Sequence, residues 1–359
     1  MTTHRFDALT KTLATRLSRR SAMQATGLGL ATSVIGMQRL PALAQDSSPV
    51  ASPSGGCVSP GQIEKEAMAT RFFTEGLAQG NLDVIDEIYA PDGHHNAAFF
   101  PVAPNPQAIK NVLAGLRSAF PDIEVAIDDV FGDGDFVVVR WTDTGSFTAE
   151  VQGFPPTGEK VSWSGINIFQ FTCGRISESW AESDTLTQLG LGLDTGSAVQ
   201  ATPDAGATPA SDCVDGSENA NVAVAVKWFD VWNSKDVSLY EALVTPDTIH
   251  HFGLQRDSVG VAALQDGVTA FFTAFPDLVH TDKEIIADGD LVAIRFTHSG
   301  TFTGPFLGTN PTGIKVIWSG INIFRFECGV VAESWSEVSG LNLWQQLGIV
   351  DAPGATPVP

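Results

Sequence analysis

Basic residues are scarce in this chain, and those present crowd toward its start. The sequence holds 20 Lys and Arg against 41 Asp and Glu, a formal charge of −21. Residues 1–44 contain six of the basic residues and one Asp, which leaves 14 basic against 40 acidic groups in the remainder. A surface of that sign repels phosphate backbones and anionic lipid, so nucleic acid and membrane surfaces are excluded as partners. Long apolar runs are missing too. No stretch of 18 or more apolar residues follows residue 44, so nothing beyond it reads as a membrane span. Cysteine is limited to four residues, with no Cys-x-x-Cys or Cys/His spacing, which argues against a metal site.

What residues 1–44 do contain is an export signal. Ser18-Arg19-Arg20-Ser21 precedes a mildly apolar run from Ala22 to Met37, and Ala42-Leu43-Ala44 supplies small residues for cleavage. Paired arginines before a run diluted by Gly, Ala, Thr and Ser favour the twin-arginine type over an ordinary secretory signal or an uncleaved anchor. The expected location is periplasmic or extracellular. Residues 45–56 follow as a Ser/Pro/Gly linker; the same composition returns at 194–212 and in a tail at 351–359.

Between these linkers the chain writes one stretch twice. Trp163-Ser164-Gly165-Ile166-Asn167-Ile168-Phe169 returns as Trp318-Ser319-Gly320-Ile321-Asn322-Ile323-Phe324, 155 residues later. Each copy continues to a Glu-Ser-Trp triplet (Glu178–Trp180, Glu333–Trp335) and ends in Gln-Leu-Gly. A period this long exceeds any solenoid repeat and marks a duplicated domain, here 57–193 and 213–350. The four cysteines allow three pairings, and only Cys57–Cys173 with Cys213–Cys328 keeps each domain self-contained. An oxidising compartment favours those bridges. Cys57 as a lipid-acylation site fits poorly, because the apolar run lies about twenty residues upstream.

Hydrophobic periodicity predicts three helices in the first domain, with Phe72, Phe73 and Leu77 on the first and Ile109, Val112, Leu113 and Leu116 facing inward on the third. Strands follow: 123–131, an Asp133-Gly134 turn, 136–147, 161–171 and 176–182. The second domain repeats the order with Asp288-Gly289 as its turn. The expected class is α+β: two tandem domains, each with three helices packed on a curved antiparallel sheet.

Ala119-Phe120-Pro121-Asp122, Gly145-Ser146-Phe147, Pro156-Thr157-Gly158 and the Glu-x-Trp ending resemble the SnoaL-like polyketide cyclase and ester cyclase family, within the nuclear transport factor 2-like superfamily. Ala274-Phe275-Pro276-Asp277, Gly300-Thr301-Phe302 and Pro311-Thr312-Gly313 repeat the pattern. The resemblance implies a cone enclosing an apolar cavity and, in its cyclases, ring closure without metal or cofactor. It also places a turn histidine where Phe147 and Phe302 stand, and an acid/base aspartate where Ala181 and Ser336 stand.

With those groups replaced, other residues become the candidates. One ring of each pair, His94-His95 and His250-His251, should point inward if the first strand alternates, and His95 and His251 are the expected bases. Glu178 and Glu333 share a face with the tryptophans, as buried bases or as ion-pair partners of Arg140 and Arg295. Asp184 is matched by Ser339, so only the first domain could use it. Asn167 with Trp163 and Phe169, and Asn322 with Trp318 and Phe324, are the expected ligand-facing residues: an amide between aliphatics is costly unless it is bonded. Two readings follow. One is an exported protein that binds an apolar small molecule and performs cofactor-independent acid/base chemistry on a carbonyl or ester. The other is a non-catalytic ligand-binding or assembly module. In either, the two domains are expected to pair within the chain as a pseudo-dimer.

Overall fold

The computed structural model describes Cys57 and residues 59–191, 216–254 and 257–351. The expected export signal, the expected linkers, Cys213 and residues 352–359 lie outside the described residues.

The first domain opens with helix α1 (Gln62–Arg71), which continues with π-helical spacing through Phe72–Gln79 and stops at Gly80 in the left-handed conformation. Its buried face runs through Ala69, Phe72, Phe73 and Leu77. A short α2 (Val84–Ile88) leads into β1 (Tyr89–Ala97), and α3 (Pro106–Ala119) follows, capped by Asn105 with proline at its first position. Strands β2 (Glu124–Phe131), β3 (Phe136–Ser146), β4 (Lys160–Thr172) and β5 (Arg175–Ser183) then form the sheet, closed off by α4 (Thr185–Gln188). The second domain repeats this as α5 (Glu218–Ser234), a 3₁₀ turn at Val237–Ala242, β6 (Val244–Phe252), β7 (Ser258–Val259), α6 (Val261–Ala274), β8 (Val279–Asp288), β9 (Leu291–Thr301), β10 (Lys315–Glu327), β11 (Val330–Val338) and α7 (Gly340–Leu347).

The sheets are ordered β1-β5-β4-β3-β2 and β7-β6-β11-β10-β9-β8. Both are open rather than closed barrels, and both are mixed rather than wholly antiparallel. β2 to β5 form the expected meander, but β1 joins β5 in parallel, as β6 joins β11. A helix on the inner face separates β1 from β2, and the chain returns to the far edge of the sheet with its direction reversed: β1 and β5 run one way with β3, and β4 and β2 the other.

The twice-written stretch has a steric reason. A Cβ on Gly165 would lie 2.1 Å from the Trp141 ring, and one on Gly320 would lie 2.3 Å from Phe296. Glycine in mid-strand therefore lets the neighbouring ring cross the strand into the cone. Inside the first cone Phe169 packs on Phe72 and Phe73, and Trp163 on Phe120. Inside the second, Phe324 packs on Trp228 and Phe229, and Trp318 on Phe275. Cys57 and Cys173 are disulfide-bonded, tying the chain before α1 to the β4–β5 turn. Cys328 is also in a disulfide.

The outer sheet faces form a further apolar cluster that draws on both domains: Val138, Ile166 and Ile168 with Ala293, Ile321 and Ile323. Arg140 lies 4.2 Å over the Trp335 ring, and Arg295 lies 4.3 Å over Trp180. These contacts are reciprocal at the repeat offset, as an isologous contact requires. The cone interiors are not isolated from one another either. Leu186, Leu254 and Leu341 belong to one continuous buried cluster that reaches both domains.

Candidate functional site

The parallel β1–β5 register decides which histidine enters each cone. His94 lies opposite Glu178 and His95 opposite Ser179, so their side chains fall on opposite faces. His95 is buried and its Nδ1 is hydrogen-bonded to Ser179 Oγ at 2.8 Å; Tyr89 Oη reaches the same hydroxyl at 2.7 Å. Burial, and secondly the charge of His94, push His95 down to about 4, so it is neutral at physiological pH.

In the second domain the inward ring is His250, not the expected His251. His250 Nδ1 bonds Ser334 Oγ at 2.8 Å. At the repeat offset His250 matches His95, whereas His251 matches Asn96. The two His-His pairs are thus out of register by one residue, and a slip of one reverses the face. His251 faces outward, stacked on Trp335 and bonded to Asp257 at 2.9 Å and Glu333 at 3.1 Å. Burial pushes it down, but these two carboxylates outweigh burial and hold it up at about 9.

The predicted carboxylates lie away from both cones. Glu178 bonds Asn96 at 3.0 Å and His94 at 3.0 Å on the outer face. Glu333 bonds Arg325 and His251 there; these bonds hold it below its ordinary range, against burial. Neither pairs with Arg140 or Arg295; Arg140 pairs with Asp128 and Asp129, and Arg295 with Glu284. Asp184 caps α4 by accepting from Thr187 N at 3.0 Å.

The two asparagines differ. Asn167 Oδ1 accepts from Trp141 Nε1 at 2.9 Å, so the first cone's amide is occupied by its own wall. Phe296 stands opposite in the second domain and offers no such donor. Asn322 donates to Ile323 O and lines a partly enclosed cavity of about 30 Å³, space for one or two waters. Trp318, His250, His298, Ser336 and Phe271 line it as well. Ser336 is the position where the resemblance places an aspartate.

His298 was not singled out by sequence reasoning, and it anchors a chain of three hydrogen-bonded polar side chains with His280 and Asp282. It sits on β9 with His280 of β8 as one cross-strand neighbour and Trp318 of β10 as the other. His298 Nε2 is 2.9 Å from His280 Nδ1, and His280 Nε2 is 2.5 Å from Asp282 Oδ1. His280 stacks on Phe229 with ring centroids 4.0 Å apart, and His298 stacks on Trp232 at 4.6 Å. Burial first, and then the charge of His280, push His298 well below its ordinary value. The one available signal was His280-x-Asp282, two polar residues on one face of a strand beside a hairpin. The first domain has Val125 and Ile127 there, and Asp143 in place of His298. Asp143 is buried and among the described residues its Oδ1 has no hydrogen-bond partner; burial, with Asp128 second, raises it well above its ordinary range. Among the described residues no group of three or more His, Cys, Asp or Glu is arranged to hold a metal ion.

A sequence model of the SnoaL-like polyketide cyclase family matches residues 67–190 and again 223–347. The chain belongs to that family. Each match covers one of the SnoaL-like domains described above. Solved structures similar to this chain include AclR from Streptomyces galilaeus, 30% identical over 39% of this chain and 87% of that one, with a TM-score of 0.35. TsrD from Streptomyces laurentii is 24% identical over 38% and 100%, with a TM-score of 0.35. A SnoaL-like polyketide cyclase from Agrobacterium tumefaciens is 20% identical over 36% and 98%, with a TM-score of 0.32. No curated protein matches the chain.

Proposed function

We propose that this is an exported protein whose second SnoaL-like domain binds a small, largely apolar carbonyl or ester compound, while the first serves as a packed scaffold paired to it within the chain. The observation that carries the reading is the asymmetry of two otherwise matched cones. Asn167 is bonded by Trp141, whereas Asn322 lines a cavity with His250 and His298. A few polar groups converging inside an aromatic wall are what a small-molecule site offers. The free volume is small, so a ligand must displace water and turn half-buried Phe252 aside. Export is supported by the Arg19-Arg20 signal and by the Cys57–Cys173 bridge, which belongs to an oxidising compartment. The reciprocal cation–π pairs support internal pairing.

A second reading, a non-catalytic assembly module, is favoured by one observation: aromatic rings fill most of both cones. Thermal unfolding of the chain with cyclohexanone, a medium-chain lactone or decanoic acid separates the two. Binding raises the midpoint by mass action, and Val268→Trp, which fills the cavity wall, abolishes the rise. No rise with any of the three supports the assembly reading.

A further inference from the structure

Among the described residues, buried polar groups outside the family positions include the acid Asp143, the interdomain carboxyls Glu182 and Glu337, and the chain Asp282–His280–His298. Of these, the last joins a cavity to the surface. His280 is almost fully enclosed, whereas the Asp282 side chain keeps 31% of its surface in solvent. His298, at the other end, lines the cavity.

Hydrogen-bond logic fixes the protons along this chain. An ionised Asp282 only accepts, so His280 donates through Nε2–H and presents its Nδ1 lone pair to His298. His298 must then donate through Nε2–H, which leaves its own Nδ1 lone pair uncommitted. Among the described residues Nδ1 of His298 takes no hydrogen bond. Stacking on Phe229 and Trp232 holds each ring in its orientation, and the hydrogen bonds set the tautomers before any ligand arrives.

We propose that Asp282, His280 and His298 form a proton relay through which the second domain removes a proton from a carbon acid bound in its cavity. This rests on the binding role assigned to that domain above. The carbon–hydrogen bond breaks and a nitrogen–hydrogen bond forms at His298 Nδ1; the electron pair moves onto the substrate's oxygen, within the cavity that Asn322 lines. His298 passes its Nε2 proton to His280 Nδ1, so the positive charge comes to rest beside the Asp282 carboxylate rather than in the apolar cone. Reversal of these shifts returns a proton to carbon. His298 is the catalytic residue, and His280 and Asp282 are positioning residues. Other groups that bear on the charge are Lys235, bonded to the carbonyls of Trp232 and Leu278, Asp277 near Lys235, and His250 across the cavity.

The test uses the full chain and nitroethane, a small carbon acid whose electron pair moves onto a nitro oxygen. Loss of deuterium from its labelled carbon is followed by NMR, and its binding is followed separately by tryptophan fluorescence. The expected result is exchange above buffer that falls about 10²- to 10⁴-fold in His298→Gln with binding retained. Asp282→Asn should lower the plateau about tenfold and move the rise of the pH–rate profile to lower pH, because the imidazolium loses its counter-charge. A merely structural role would lower the rate without moving the profile. Equal exchange in the wild type and His298→Gln with binding intact overturns the relay and leaves the binding role standing. Absence of nitroethane binding overturns the relay, and a midpoint still raised by cyclohexanone leaves the binding role standing.

Discussion

Ser164 donates to Glu337 Oε1 across the domain boundary at 2.5 Å, and Ser319 donates to Glu182 Oε1 at the same distance. Each serine belongs to the repeated Trp-Ser-Gly, and each glutamate follows its Glu-Ser-Trp triplet by two residues, so duplication has produced a swapped pair of bonds. Both carboxyls are buried, and among the described residues the second oxygen of each has no hydrogen-bond partner.

Burial raises Glu182 to about 7, opposed by Ser319 and Arg295. Burial also raises Glu337 well above its ordinary range, reinforced by Asp184 and Glu182 and opposed by Ser164 and Arg140. Unfolded, Glu182 releases its proton near 4.5. Between 4.5 and 7 the fold retains a proton that the unfolded chain has lost, so stability falls as pH rises through that window. For Glu182 alone the loss is on the order of 3 kcal/mol. Denaturation across pH 4–8 should show this decline, and Glu182→Gln with Glu337→Gln should flatten it. A doubly substituted chain with an unchanged slope would place the proton uptake elsewhere.

His95 and His251 should titrate in opposite senses. Imidazole NMR should find His95 neutral at pH 5 and His251 still charged at pH 8. His251 contributes stability that is complete below its unfolded value of 6.5 and is lost as pH rises through about 9. Glu333→Gln should lower the His251 midpoint and leave His95 unmoved. If the two rings titrate together, the assignment of His95 to the inner face of the first sheet and His251 to the outer face of the second is wrong.

Asp143 has an unpartnered oxygen in an apolar cone, so its replacement should stabilise the scaffold domain. Asp143→Val should raise stability by about 1–3 kcal/mol, the usual penalty for such a group. A lowered midpoint would mean the acid holds a bound molecule or water in place.

Gly320→Ala should be costly despite its small size. Its Cβ would meet the Phe296 ring at 2.3 Å, and overpacking of this kind costs about 1–3 kcal/mol. Phe296→Leu in the same chain should recover part of the loss, which denaturant unfolding of the two variants would reveal.

Local signals carried most of the fold into the sequence. Asp133-Gly134 and Asp288-Gly289 marked the hairpins between β2 and β3 and between β8 and β9. The duplicated Trp-Ser-Gly-Ile-Asn stretch marked the two domains. Long-range pairing was less legible: nothing local to Tyr89–Ala97 states that it lies parallel to β5, and that register alone sends His95 inward and leaves Glu178 outside. His250 could have been found by aligning the halves at one offset, because adjacency of two histidines in each half concealed a shift of one residue. His280 and His298 become neighbours only through the β8–β9 ladder, whose register shifts between Asp282 and Ile285. A bulge of that kind moves cross-strand neighbours without any change in composition.

The central claim is that the two cones have divided their roles, the second receiving a small molecule and the first serving as scaffold. Side-chain NMR of the full chain during titration with cyclohexanone tests it most directly. The Asn322 amide, the Trp318 indole and the His298 imidazole should shift, while the Asn167 amide and the Trp163 indole stay in place. Shifts confined to Asn167 and Trp163, or equal in both halves, would contradict it.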